Sequence, residues 1–79
     1  MPGYGSAEHG VTAARAMFSA LDMTAGELNT FLAKYPLFTV AVLLGVWTLA
    51  KPVLQAALTA GDVTSKQVND VRSAVASLL

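Results

Sequence analysis

The chain has no cysteine, one histidine, and only five basic and five acidic side chains in 79 residues. Each shortage removes a class of chemistry. Without cysteine there is no disulfide framework and no thiolate metal site, and cysteine usage says nothing of the redox compartment. His9 alone cannot build a multi-histidine metal site and reads as a solvated surface residue. The acidic residues Glu8, Asp22, Glu27, Asp62 and Asp70 are spread over separate segments, so sequence spacing pairs none of them for acid–base work. The basic residues Arg15, Lys34, Lys51, Lys66 and Arg72 form no patch to hold phosphates, and no nucleic-acid partner is expected. The glycines form no phosphate loop, and the serines have no histidine and carboxylate arrangement behind them. A chain of this length makes one small domain with little core, too small to carve a catalytic cleft. The expectation is a non-enzymatic protein with no cofactor and no metal.

What is abundant is apolar surface. Hydrophobic residues make up 54% and charged residues 13%, against roughly 45–50% and 25% in soluble domains. The run Leu37–Ala50 contains no charge, amide or imidazole and is bracketed by Lys34-Tyr35-Pro36 and Lys51-Pro52. If helix continues to Ala60, residues 37–60 rise roughly 36 Å at ~1.5 Å per residue, enough to cross a bilayer core of about 30 Å. If it stops at Ala50, it suits only a buried core helix. The charge deficit and the continuation through Val53–Ala60 favour the longer reading.

The flanks read as short amphipathic helices, and no strand is expected. Residues 1–5, with Pro2, Gly3 and Gly5, form a flexible tail. Residues 6–35 hold two helices, the first placing Val11, Ala14, Phe18 and Leu21 on one stripe, with Arg15 and Ser19 away from it. Thr24 and Glu27 have the spacing of a capping box, in which each side chain takes the other residue's amide hydrogen. Met23 and Leu28 occupy the staple positions, and Leu28, Phe31, Leu32 and Tyr35 form the apolar face. After Gly61, which suits the closing position of the preceding helix, Thr64 and Gln67 repeat the capping pattern. Residues 62–79 then carry the stripe Val68, Val71, Val75 and Leu78. The common feature is capping chemistry, not a repeated length.

Wound as a single helix, residues 36–60 are two-sided. Ala41, Gly45, Thr48, Pro52, Ala56 and Thr59 make a small-residue strip, while Val40, Leu43, Val46, Trp47, Ala50, Leu54 and Leu58 lie opposite. Small residues let helix backbones approach one another in a membrane, so the strip is expected to pack on other subunits. Pro52 removes the amide partner of the Thr48 carbonyl and bends the helix there. Lys34, Tyr35, Trp47 and Lys51 are expected as interface anchors, with Lys51 extending its stem toward the headgroups.

The leading expectation is therefore an all-α, single-pass membrane protein: one long apolar helix with a proline bend, flanked by amphipathic helices. Its partners would be membrane lipid and other protein subunits, and its role a structural or accessory subunit of a membrane complex or membrane-containing virion. The balance of Arg15 and Lys34 against Lys66 and Arg72 leaves orientation open. A second expectation is a helical filament subunit. The apolar helix with its amphipathic leader is similar in plan to filamentous-phage coat proteins and conjugative pilins. It departs from the coats in lacking a basic C-terminal cluster and from pilins in having one clear apolar helix instead of two. The third is a soluble helical-bundle interaction module that dimerises to hide its apolar surplus.

Overall fold

The helices begin and end where side chains supply, or glycines release, backbone hydrogen bonds. The computed structural model describes residues 7–78, with side chains from Thr12 onward. The expected tail 1–5 and the side chains of Glu8, His9 and Val11, the last of these the first residue of the expected α1 stripe, lie outside these. Five helices follow one another: α1 (Ala7–Leu21), α2 (Ala25–Lys34), α3 (Pro36–Leu44), α4 (Trp47–Ala60) and α5 (Ser65–Ala76). Both capping boxes form as the spacing predicts. Thr24 Oγ1 accepts from the Glu27 amide at 3.2 Å, and Glu27 Oε1 accepts from the Thr24 amide at 2.9 Å. Thr64 and Gln67 make the same exchange at 3.1 and 2.8 Å. Gln67 does more, because its Nε2 also donates to the carbonyl of Leu21 at the end of α1, so the cap of α5 is tied to another helix.

The expected single helix over 36–60 is two helices. Gly45 adopts the left-handed conformation at φ 67°, Val46 is extended, and α4 restarts at Trp47. The Gly45 amide donates to the Val42 carbonyl at 3.1 Å and the Val46 amide to the Ala41 carbonyl at 3.0 Å. This is the glycine-closed C-terminal motif that satisfies carbonyls a helix end leaves open. Gly61 closes α4 with the same pair of bonds, to Leu58 at 3.1 Å and from Asp62 to Ala57 at 2.8 Å. The run breaks at Gly45-Val46, while α4 continues through Lys51-Pro52. Among the described residues no helix is long and apolar enough to cross a membrane.

The break folds the apolar run back on itself, and the energetics favour this. Phe38, Ala41 and Val42 of α3 and Ala50, Val53, Leu54 and Ala57 of α4 all enter one core with Ala13, Met17 and Leu21 of α1. Burying each large apolar side chain is worth about 1.5–3 kcal/mol, and the closing motif removes most of the cost of ending the helix. A straight helix in water would bury neither set. Phe38 is fully buried at the centre. Its ring meets Phe31 edge-on at 5.4 Å and Phe18 at 6.0 Å, and Phe31 meets Tyr35 at 5.0 Å. Aromatic contacts of this kind join α1, α2 and α3. Val71 and Val75 bury the expected stripe of α5, while Val68 and Leu78 pack partly buried against the core. On α1 the buried line is Ala13, Met17 and Leu21, with Ala14 and Phe18 on its flank. The radius of gyration is 11.7 Å, against about 11.5 Å for a compact chain of this length.

Candidate functional site

The α3–α4 hairpin covers only one of its two sides. On α3, Leu37, Val40, Leu43 and Leu44 are 58, 44, 70 and 57% exposed. They face away from Phe38, Ala41 and Val42, because nine residues of nearly uniform apolarity cannot all reach one core. Leu37 is also one wall of an apolar groove of about 380 Å³, with Tyr35 and Pro36 beside it and Leu49, Pro52 and Ala56 across it on α4. Ridge and groove are therefore continuous through Leu37.

The hairpin is held shut at its open end by charge. Lys34 and Tyr35 stand just before α3 and Asp62 just after α4. Lys34 Nζ lies 2.7 Å from Asp62 Oδ2, and the Tyr35 hydroxyl donates to the same oxygen. The Lys34 ammonium also sits 5.7 Å from the Tyr35 ring centre. These contacts hold the Asp62 carboxyl below the usual aspartate range, chiefly through the Lys34 bond and then the Tyr35 bond. The same bonds to Asp62 raise Lys34 and Tyr35. Residues expected as membrane anchors thus serve as an internal clasp.

The other expected site residues separate. The small-residue strip does not exist as one line, because its parts sit on two antiparallel helices. Ala41 of α3 and Gly45 at its closing turn are buried, whereas Thr48, Pro52, Ala56 and Thr59 are exposed on α4. The side expected to face lipid is split as well: Ala50 and Leu54 are buried, while Val40 and Leu43 are exposed. Trp47 is half-buried, lining a cleft with Leu54 and Leu58 of α4 and Val68 and Arg72 of α5. Lys51 is exposed at the edge of that cleft and makes no ion pair among the described residues. Sequence reasoning missed the α3 ridge. The signal was the glycine itself, since Gly45 follows an apolar run as Gly61 does.

Among the described residues, the carboxylates that come together are mostly engaged already. A broad depression brings Asp22, Glu27 and Asp62 to its walls. Glu27 is occupied by the cap, which lowers its pKa through the Thr24 amide, and Asp62 by the clasp. No group of three His, Cys, Asp or Glu residues among those described is placed to hold a metal. The prominent feature is an apolar surface flanked by a clasp. Compared with known proteins, the chain matches no family model, no curated protein and no solved structure.

Proposed function

We propose that this protein is a non-enzymatic structural or accessory subunit that docks to neighbouring subunits through the outer face of its α3–α4 hairpin. The observation that carries this is the exposure of Leu37, Val40, Leu43 and Leu44 in one patch. The largest apolar patch on a small protein is often its functional surface. Lipid is the second reading for the same face. Residues 28–61 contain Lys34 and Lys51 and no carboxylate, so an anionic membrane surface would not repel the segment, and the hairpin would lie along the interface instead of spanning it.

Because the native chain has no cysteine, single thiols report cleanly. L43C on the ridge and S73C on the exposed polar side of α5 are compared for maleimide labelling in intact expressing cells and after purification. Docking predicts that L43C is protected in cells and labels freely once purified and diluted, while S73C labels in both. Equal labelling of the two thiols in cells would sink the reading.

A further inference from the structure

The cleft between α4 and α5 shares no residue with the α3 ridge or with the groove beside it. It forms because α5 turns Val71 and Val75 into the core, which leaves the Val68 edge of its stripe beside α4. The floor is apolar: Leu54 is buried, and Trp47, Leu58 and Val68 are half-buried around it. The rim is cationic. Lys51 of α4 and Arg72 of α5, far apart in sequence, line the same hollow of about 270 Å³.

This rim offers donors that the protein leaves unused. Among the described residues, Lys51 makes no ion pair, and the side chains of Trp47, Lys51, Gln55 and Ser65 make no hydrogen bond. Arg72 has one long bond, to Asn69 Oδ1 at 3.4 Å. No carboxylate lines the hollow. Asp22, Glu27 and Asp62 line the broad depression instead, and Asp70 is held by Lys66 at 2.7 Å. A negative group in the cleft therefore meets two cations and no like charge.

We infer that the α4–α5 cleft binds a small organic anion, a compact apolar body carrying one carboxylate. The apolar body covers Trp47, Leu54 and Leu58, and the carboxylate takes the place of the missing acceptor between Lys51 and Arg72. An apolar floor with a few polar groups at its edge is the usual make-up of a small-molecule site. A bare inorganic anion would leave that floor wet, and a neutral hydrocarbon would leave the cations unanswered. At roughly 30 Å³ per water the hollow has the space of about nine waters, enough for a ligand of about a dozen non-hydrogen atoms and too little for a diacyl lipid. Ligands of that size bind with dissociation constants of about 0.1–1 mM. The cleft and the docking face are independent, and either reading stands or falls without the other.

Trp47 is the single tryptophan of the chain, so indole fluorescence reports on the cleft directly. Phenylbutyrate is the probe, with phenylbutanol and phenylbutylamine as its neutral and cationic counterparts and calorimetric titration run beside the fluorescence. Saturable binding of phenylbutyrate is expected to change Trp47 emission, at least about fivefold tighter than either counterpart. Lys51→Gln and Arg72→Gln should each weaken it about two- to fivefold, as exposed ion pairs do, and leave phenylbutanol unaffected. Lys66→Gln on the far side of α5 and Leu43→Ser on the ridge should change nothing. Far-ultraviolet circular dichroism confirms that each variant keeps its helices. The inference is overturned by the absence of saturable binding up to about 10 mM, by equal affinity for acid and alcohol, or by binding indifferent to both cations. Calorimetric binding that leaves Trp47 unchanged, or that is lost in Leu43→Ser, places the anion elsewhere and overturns it too. Inorganic phosphate that displaces phenylbutyrate at equal concentration would reduce the cleft to a bare anion contact. Emission that responds to phosphatidylglycerol vesicles and not to phenylbutyrate would give the cleft to a lipid surface.

Discussion

Gly45 and Gly61 close α3 and α4 with the same two backbone bonds, at φ 67° and 83°. An L side chain pays about 1–2 kcal/mol for that conformation. At Gly61 an added Cβ meets nothing within 4 Å, so conformation is the whole cost there. Gly61→Ala should lower stability by about 1 kcal/mol. Gly26 sits in the first turn of α2 with equal space around it, and Gly26→Ala should raise stability by up to about 1 kcal/mol. Urea unfolding of both variants checks the pair, and the two midpoints must move in opposite directions.

The two capping boxes differ in a way that substitution exposes. Glu27 caps α2 from an exposed position, and Glu27→Gln keeps the acceptor, so a change within about 0.5 kcal/mol is expected. Gln67 accepts from Thr64 and donates to the Leu21 carbonyl. Gln67→Glu keeps the cap but replaces the donor with a carboxylate beside a carbonyl. A loss of about 1–3 kcal/mol follows from leaving that partly buried acceptor unpaired. Thermal unfolding at neutral pH compares them directly, and equal effects would show that the Leu21 bond contributes nothing.

The clasp makes stability depend on pH at both ends of the scale. Asp62 is depressed by Lys34 and Tyr35, so its contribution is present above the unfolded aspartate value of about 3.9 and is lost as pH falls through the lower folded value. Lys34 and Tyr35 are raised by Asp62. Their contributions are present below their unfolded values near ~10.4 and ~10 and are lost as pH rises through the folded ones. Asp62→Asn should flatten both limbs of a plot of urea midpoint against pH. Two limbs as steep as those of the wild type would remove the clasp from the stability of the hairpin.

Position on the hairpin should separate stability from association. Phe38→Ala removes a fully buried ring and should cost about 3–5 kcal/mol, a large share of the total in so small a chain. Leu43→Ala removes a side chain that is 70% exposed and should cost under about 0.5 kcal/mol at dilutions where the chain is monomeric. Guanidinium unfolding at low micromolar concentration measures both. Comparable losses would place Leu43 in the core.

Much of the local structure was legible because its causes are local. Thr24 with Glu27 and Thr64 with Gln67 bond across three residues, so their spacing is the evidence. The stripe of Val71 and Val75 needs only helical periodicity. Gly45 carries the same information as Gly61 but stands inside an apolar run, where a glycine equally suits the small-residue face of a continuous helix. The clasp was hidden for another reason: Lys34 and Asp62 are brought together by the intervening turn, and nothing in either segment announces the other.

The sequence by itself determined an all-helical chain, its two capped starts, its closing glycine after α4 and an apolar surplus that something must cover. Only the tertiary structure decided what covers it. Hydrophobic burial has no direction and depends on area removed from water, so an apolar run is equally satisfied by lipid, by a partner or by its own other half. The left-handed turn at Gly45 resolves that degeneracy for one side of the run, placing Phe38, Val42 and Leu54 in a shared core. It leaves Leu37, Val40, Leu43 and Leu44 outside, because a hairpin of two helices packed on one core has a second face that its own chain does not reach.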